Sequence, residues 1–544
     1  MSHLRDALLL DVGLALLTHL VFNRIEPLAP KFVVPLLALP PLIPLILLLE
    51  HFSAPTAFCF ASGVFHTVFI SSVVFYRLSS IHPLARYPGP TLLKLSTFFV
   101  YKKNVTGRRH LYIQKLHEKY NSDIVRIGPN ELSFRDVASI APIMGTHGLA
   151  KGPSYDGLMA RAVIRPVVAW RDKAVHAERR LPWNRALNTS AIKDYEGSLT
   201  GRVAQLVDYL LARSGVEVDA TEAIKFFSYD FMGDMAFGGL SELMRDGDVH
   251  GQTKVVQATK DTNLMRETIP WSTLYFPDGG IALRKAAVTM ATDRIKKGNS
   301  RRDLFHYLNN EDDAEPTSPP LHIVVAEATL AIVAGSDTTS GTLTNILYLL
   351  MQHPQVYKKL QEEVDKFYPQ GENAMNCDFH PDMVFMEAVI NEALRLYPVV
   401  PSGSQRATQR KGMTVLSDYI PPNTSVRIHT WSVHRDPRNF YPSPNDFWPE
   451  RWIIAEKPSS FMSEEPFIHN ANAFIAFSFG PANCVGKNLA MKGMKMVLCH
   501  LLQQVNLRFA EGFDPDTWDA HVKDYFMLEV GKLPVIVTPR VSQA

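Results

Sequence analysis

The chain has 544 residues, a formal net charge of +2 and 20% charged side chains. Near-neutral charge leaves no electrostatic footprint for nucleic acid or for a strongly acidic partner. The length admits two to four ordinary domains or one large helical body. The four cysteines, Cys59, Cys377, Cys484 and Cys499, are scattered, which excludes a disulfide scaffold and a CxxC metal site and fits a reducing, cytosol-facing compartment.

Residues 1–80 form an apolar N-terminal region with up to three hydrophobic segments, 7–22, 32–49 and 55–76. A spanning helix needs roughly 20 apolar residues. The third segment meets this, and the first is short and carries Asp11 and His19. The second holds Pro35, Pro40, Pro41 and Pro44, which predict a kink or a re-entrant hairpin. Apolar segments in succession, without a small-residue cleavage site, speak against a cleaved signal peptide. Arg24 and Lys31 follow the first segment; Arg77 and Arg86 follow the third. The positive-inside rule then predicts three crossings with a luminal N-terminus, against which Arg5 weighs. The alternative is one anchor at 55–76 with the other segments lying in the interface.

Residues 81–90 end in Arg86-Tyr87-Pro88-Gly89-Pro90, a stiff turn-forming punctuation. A helix is predicted over 107–120, then strands at 124–127 and 132–134 around Gly128-Pro129-Asn130-Glu131. Most of the remainder reads helical. Val356, Leu360, Val364 and Phe367 share one face of a helix over 355–367. Residues 321–351 form a long helix, apolar nearly all round and so buried in a large core. In its middle stands Ala334-Gly335-Ser336-Asp337-Thr338-Thr339. Gly335 removes bulk where something approaches the helix. Asp337 and Thr338 bring an acid and a hydroxyl into a helix interior that mildly disfavours both. Back-bonding of Thr338 to its own helix is the plain alternative. Glu392 and Arg395 share a face of a helix over 386–397 and can pair. Phe447-Trp448-Pro449-Glu450-Arg451-Trp452 offers a second cation, Arg451. A buried carboxylate between two guanidiniums can satisfy its lone pairs. Residues 525–539 read as a hairpin.

Near the C-terminus, Phe477-Ser-Phe-Gly480-Pro-Ala482-Asn-Cys484-Val-Gly486 opens directly onto a helical stretch over 487–505. A lone cysteine is usually a small buried hydrophobe. At a helix N-terminus it faces unpaired N–H groups, which favour the thiolate. It lacks the companions of a zinc site, yet one thiolate suffices as the protein ligand of a haem iron. Gly480 and Gly486 would let the backbone approach a flat macrocycle.

This run resembles the haem-binding loop F-x-x-G-x-R-x-C-x-G of the cytochrome P-450 family. Phe477, Gly480, Cys484 and Gly486 match, while Ala482 stands where the family has Arg. The element around Asp337 and Thr338, the Glu392-x-x-Arg395 helix and the Arg451 segment also resemble that family's, in the right order. The wording and the membrane region are most similar to fungal membrane-bound members. The resemblance implies a mainly α fold with small β-sheets in a haem-binding monooxygenase domain over 91–544, with haem between the long helix and the Cys loop. It implies that 81–90 is a proline-rich hinge. It implies haem b bound through Cys484, with His176, Arg180 and Arg406 on its propionates and Phe477, Gly480 and Gly335 beside it. His176 occupies the place of the usual Trp. Asp337 and Thr338 are then the proton-delivering pair, and Glu392, Arg395 and Arg451 are structural. The implied reaction inserts one atom of O2 into a hydrophobic small molecule, with electrons from NADPH through a reductase, at the endoplasmic reticulum with the catalytic domain facing the cytosol. Lys487, Lys492 and Lys495 are candidate reductase contacts. Pocket segments are expected near 154–168, 264–276, 325–338, 399–404 and 525–528. Secondary metabolism (terpenoid or similar) or xenobiotic oxidation is the expected setting. A peroxygenase or isomerase on the same fold, or a non-catalytic haem-binding membrane protein, are the alternatives.

Overall fold

The computed structural model describes residues 2–25, 30–159, 164–239, 242–249, 251, 253, 264–269, 272, 281–298 and 302–540. Three N-terminal segments, His3–Ile25, Lys31–Leu48 and Ala54–Leu78, are long and apolar enough to cross a membrane. They contain helices α1 (Ser2–Ile25), α2 (Pro30–Ala38) and α3 (Ala54–Leu78). Prolines break the middle segment, as expected: α2 contains Pro35, and a 3-10 turn follows at Pro40–Leu42. Ala7, Leu48, Ala57 and Ala61 cluster at one end of this region. At the other, His19 meets Phe69 and Tyr76 at ring-centroid distances of 6.4 and 5.7 Å. Early residues of α1 thus face early residues of α3, and late face late. The two helices run parallel, so the chain between them returns over their length. Small residues on the seam let the backbones approach.

The turn after α3 is fastened rather than free. In strand β1 (Ile124–Gly128), the Arg126 amide donates to the Pro88 carbonyl at 2.7 Å. Gly89 lies so close to the Arg126 carbonyl that no Cβ fits there. The Arg126 guanidinium donates to the carbonyls of Pro129 (2.8 Å) and Arg77 (3.4 Å), tying the end of α3 to the sheet.

The body is mainly helical with small sheets. Besides β1, the strands used below are β2 (Glu131–Phe134), β3 (Ala150–Lys151), β4 (Glu217–Asp219), β5 (Arg406–Ala407), β6 (Ser425–Ile428), β7 (Val505–Phe509), β8 (Lys523–Tyr525), β9 (Met527–Glu529) and β10 (Pro534–Pro539); short strands at Met413–Val415, Asp418–Ile420, Phe440–Tyr441 and Ile468–His469 form two small two-stranded sheets. One five-stranded sheet has the order β1-β2-β6-β5-β3. The expected hairpin over 525–539 divides between two sheets. β8 and β9 form a tight hairpin that turns at Phe526, φ +81°. β10 instead pairs with β7 and β4, because the inward Val535 and Val537 match the inward Val505 and Leu507.

The helices that build the site are α4 (Lys173–Ala186), α5 (Glu196–Leu211), α6 (Ala220–Phe237), α7 (Leu321–Gln352), α8 (Pro354–Phe367), α9 (Val384–Leu396), α10 (Glu450–Glu456) and α11 (Lys487–Gln504). Helix α7 is the axis of the core. Helix α8 turns Val356, Leu360 and Val364 into that same core. Helix α6 lies along the middle of α7: the Ser336 hydroxyl donates to the Ser228 carbonyl at 3.2 Å. A Cβ on Gly335 would lie 2.6 Å from Met232 Sδ. The close approach that Gly335 permits is therefore that of α6. Overpacking a fitted core costs roughly 1–3 kcal/mol. Gly335→Ala is expected to lower unfolding free energy in denaturant titration, and to cost less in a Met232→Ala chain than in the wild type, the difference measuring the contact.

Candidate functional site

The loop before α11 is closed by its own backbone. The Cys484 amide donates to Phe477 O at 2.9 Å, and the Asn483 amide to Gly480 O at 3.0 Å. Gly480 has φ +72° and abuts the Met144 carbonyl, leaving no room for a Cβ. That contact and the left-handed backbone require glycine there. Gly486 is open, its nearest neighbour for a Cβ being Cys484 Sγ at 3.9 Å. Phe477 is half-buried, with Lys487 Nζ 5.6 Å from its ring centroid. The Cys484 residue is exposed, yet its sulfur sits against the loop. Burial pushes the thiol up; the amides of Gly486 and Lys487 and the charges of Arg180 and Lys487 pull it back. The helix terminus alone predicts a lowered thiol, and desolvation outweighs it. Cys377 and Cys499 are raised too, without amide donors to offset burial.

Basic groups converge beside this loop. Arg180, on α4, donates to Asn483 O at 2.6 Å and Oδ1 at 2.8 Å, and to Asn184 at 3.2 Å. His176, one turn earlier, is buried; its imidazole is lowered to about 4 by burial and by Lys151, Arg180 and Arg406. Arg406 is 2% exposed, and its guanidinium has no hydrogen bond or ion pair among the described residues. The nearby acid, Glu327, is occupied by Arg179 (2.7 Å), Trp183 Nε1 (3.2 Å) and the Val167 amide (2.9 Å).

On α7, Ala334 is exposed in the middle of an otherwise covered helix. The Thr338 hydroxyl donates to the Ala334 carbonyl at 2.7 Å. Its proton is spent on its own helix, and its lone pairs remain free to accept. Asp337 Oδ1 accepts from the Tyr229 hydroxyl of α6 at 3.2 Å. Burial and the Asp337 carboxylate push that phenol far up, so it stays protonated. Of the expected pocket segments, 399–404 and 525–528 are joined by the Leu528 amide on Val399 O at 2.8 Å. Residues 164–168 reach α7 through Val167. Residues 160–163, 270–271 and 273–276 lie outside the described residues.

Beneath the loop, Glu392, Arg395 and Arg451 meet with no solvent exposure. The Glu392 carboxylate accepts from Arg395 Nε (2.9 Å) and Nη2 (2.8 Å), Arg451 Nε (3.0 Å), the Trp448 amide (3.1 Å) and Trp452 Nε1 (2.9 Å). Arg395 and Arg451 also donate to the carbonyls of His434, Pro444, Asp446, Pro442 and Ser443.

The sequence model of the family Cytochrome P450 matches residues 88–530. The chain is a cytochrome P450. It is 31% identical over 497 residues to Cytochrome P450 monooxygenase FCK2 of Fusarium pseudograminearum (strain CS3096), covering 89% of this chain and 87% of the relative. With Cytochrome P450 monooxygenase nodW of Hypoxylon pulicicidum the identity is 32% over 480 residues, covering 87% and 86%. Tryprostatin B 6-hydroxylase of Aspergillus fumigatus is 28% identical over 488 residues, covering 86% and 83%. The crystal structure of the cytochrome P450DA heme domain has the same fold, with a TM-score of 0.66 at 18% identity, covering 80% of this chain and 92% of that one.

A P450 is a haem-thiolate monooxygenase, and the residues present fit that cofactor. A buried guanidinium without an acid partner suits a group that brings its own carboxylates. A thiol held between two amides and two cations can give up its proton to a metal. Sequence reasoning missed three participants in this P450: Asn483, Tyr229 and His434. It also proposed three lysines for a partner surface, and the structure removes two. Lys495 is buried on His380 O (2.9 Å) and Glu387 (2.9 Å), and Lys492 is paired with Glu196. Only Lys487 is left exposed.

His434 links the Glu392 network to the segment before the loop. Its Nε2 accepts from the Ile475 amide at 3.0 Å, so Nδ1 carries the proton donated to Arg395 O at 3.0 Å. Burial, with Arg395 and Arg435 nearby, lowers the imidazole from 6.5 to about 3. The unfolded state therefore binds the extra proton first as pH falls. The contribution of His434 is complete above its unfolded value and is lost progressively toward its folded one. For His434→Gln, the slope of unfolding free energy against pH between about 6 and 4 is expected to flatten by about one proton. Denaturant titrations across that range check it; an unchanged slope contradicts the assignment.

Proposed function

We propose that this P450 is a membrane-anchored monooxygenase in which Cys484 would hold the haem iron through its thiolate. Its reaction is RH + O2 + NADPH + H+ → ROH + H2O + NADP+, with RH a hydrophobic small molecule and electrons arriving through a reductase. The observation that carries the reading is Cys484 at the start of α11, its sulfur facing the amides of Gly486 and Lys487. Haem, when bound, supplies the chemistry of O2 reduction and oxygen insertion.

The protein's own residues do the rest. Arg406, Arg180 and His176 would meet the anionic edge of the cofactor, and Phe477 would lie beside it. Thr338 Oγ1, its proton directed at Ala334 O, offers lone pairs to a hydrogen-bond donor on the open face of α7. Asp337, held by Tyr229, places a carboxyl group one residue away. With haem bound, Asp337 and Thr338 would hold and pass protons on that face of α7. Glu392, Arg395 and Arg451 fix the frame and touch no substrate.

The parallel arrangement of α1 and α3 supports three crossings, with the body on the cytosolic side of the endoplasmic reticulum. Lys487 remains as the reductase contact of the three lysines. Relatives such as Tryprostatin B 6-hydroxylase support hydroxylation in fungal secondary metabolism as the setting.

In a reconstituted assay with NADPH and reductase, the wild type is expected to turn over a hydrophobic substrate without added peroxide. Thr338→Ala is expected to lower product per NADPH roughly 100-fold, the low end of what positioned proton transfer contributes, with hydrogen peroxide making up the difference. Unchanged coupling sinks the role of Thr338, and turnover with peroxide alone sinks the monooxygenase reading.

A further inference from the structure

Ala482 leaves a charge unaccounted for. A haem edge with two carboxylates needs cations, and three of those nearby are limited. Arg180 is committed to Asn483 and Asn184. His176, lowered to about 4, is neutral at physiological pH. Arg406 is a single charge. One more buried cation lies in the same cluster. Lys151, in β3, stands directly opposite Arg406 in the antiparallel β3–β5 register, so both side chains leave the same face of the sheet. It is 7% exposed. Its ammonium donates to the carbonyls of Val167 (3.3 Å) and Val168 (2.7 Å) and forms no ion pair among the described residues. The Tyr155 ring centroid lies 5.4 Å from the ammonium, whose third N–H has no oxygen acceptor among the described residues.

We propose that Lys151 binds a haem propionate and supplies the charge that Arg would carry at position 482. This rests on the haem assignment above. Two features support it. Burying an ammonium beside Arg406 and Arg180 without a free carboxylate is costly unless an anion completes the group. That cost registers in the lysine, which burial and then Arg406 and Arg180 lower from 10.5 to about 7. Furthermore, the strand is held in place by contacts independent of the ammonium: the Gly152 amide donates to Gln405 O at 3.0 Å, and Arg171 Nε to Lys151 O at 3.0 Å. The side chain is free to serve a ligand while the backbone keeps its register.

The test is cofactor release from the full-length holoprotein to excess apomyoglobin, followed by absorbance. Chains carrying iron protoporphyrin are compared with chains reconstituted with its dimethyl ester, which has no carboxylates. Lys151→Met is expected to release iron protoporphyrin roughly 10- to 100-fold faster, the scale of one charged hydrogen bond. Adding Ala482→Arg to that variant is expected to recover most of the loss. The dimethyl ester is expected to leave the wild type and Lys151→Met at the same rate. Equal acceleration for both cofactors would mean that Lys151 merely supports the strand and overturns the proposal. So does an unchanged rate for iron protoporphyrin. A wild-type chain that takes up no haem overturns the haem assignment itself; one that holds haem as firmly without Lys151 overturns only the lysine's role.

Discussion

Everything around the site depends on one carboxylate that sees no water. An ionised group of that kind costs several kcal/mol to bury unless its oxygens are met by donors. Glu392 meets five N–H groups, from its own helix, from the chain at Trp448 and from α10. Arg395 Nη1 and Nη2 and Arg451 Nη2 then gather the carbonyls of residues 434–446, a stretch with little regular structure of its own. Geometry passes from there to the functional loop through His434 and Ile475. A segment whose only strand, Phe440–Tyr441, is two residues long is thus given a fixed shape by charge satisfaction.

The second organising force is positive charge kept from solvent. Lys151, His176, Arg180 and Arg406 come from a strand, a helix and a second strand that meet only in the folded chain. The repulsion among Lys151, Arg180 and Arg406 opposes folding, and the nearby carboxylate Glu327 is already occupied. On the proposed reading an anionic guest offsets that repulsion, which would couple binding of the cofactor to stability of the region. Arg180 does two jobs at once: it belongs to this cluster, and it grips Asn483 beside Cys484. The electrostatic side of the site and the thiolate loop are therefore one mechanical unit.

Much of this was legible in the sequence, because the signals are local. Helix α7, helix α9 and the loop into α11 each announce themselves within a short window, and so do the turn at 128–131 and the prolines of the second apolar segment. The rest was hidden for a physical reason. Lys151 acquires meaning only from strand register with Arg406, and His434 only from its contact with Ile475. Gly335 and Gly480 were visible as required glycines, but the neighbours that require them, Met232 and the Met144 carbonyl, come from distant segments. Lys492 and Lys495 looked like surface charge because partners such as Glu196 and Glu387 are invisible to helical periodicity. The C-terminal strands were found as strands but joined in the wrong sheet, since pairing is decided by which inward faces match.

The central claim is that Cys484 carries the iron. The reduced, carbon monoxide-bound absorption spectrum of the full chain tests it most directly, recorded for the wild type and for Cys484→Ser at matched protein concentration. The account predicts a thiolate-type Soret band in the wild type and its loss in the variant. A thiolate band that survives Cys484→Ser, or a wild-type chain that binds haem without one, would contradict it.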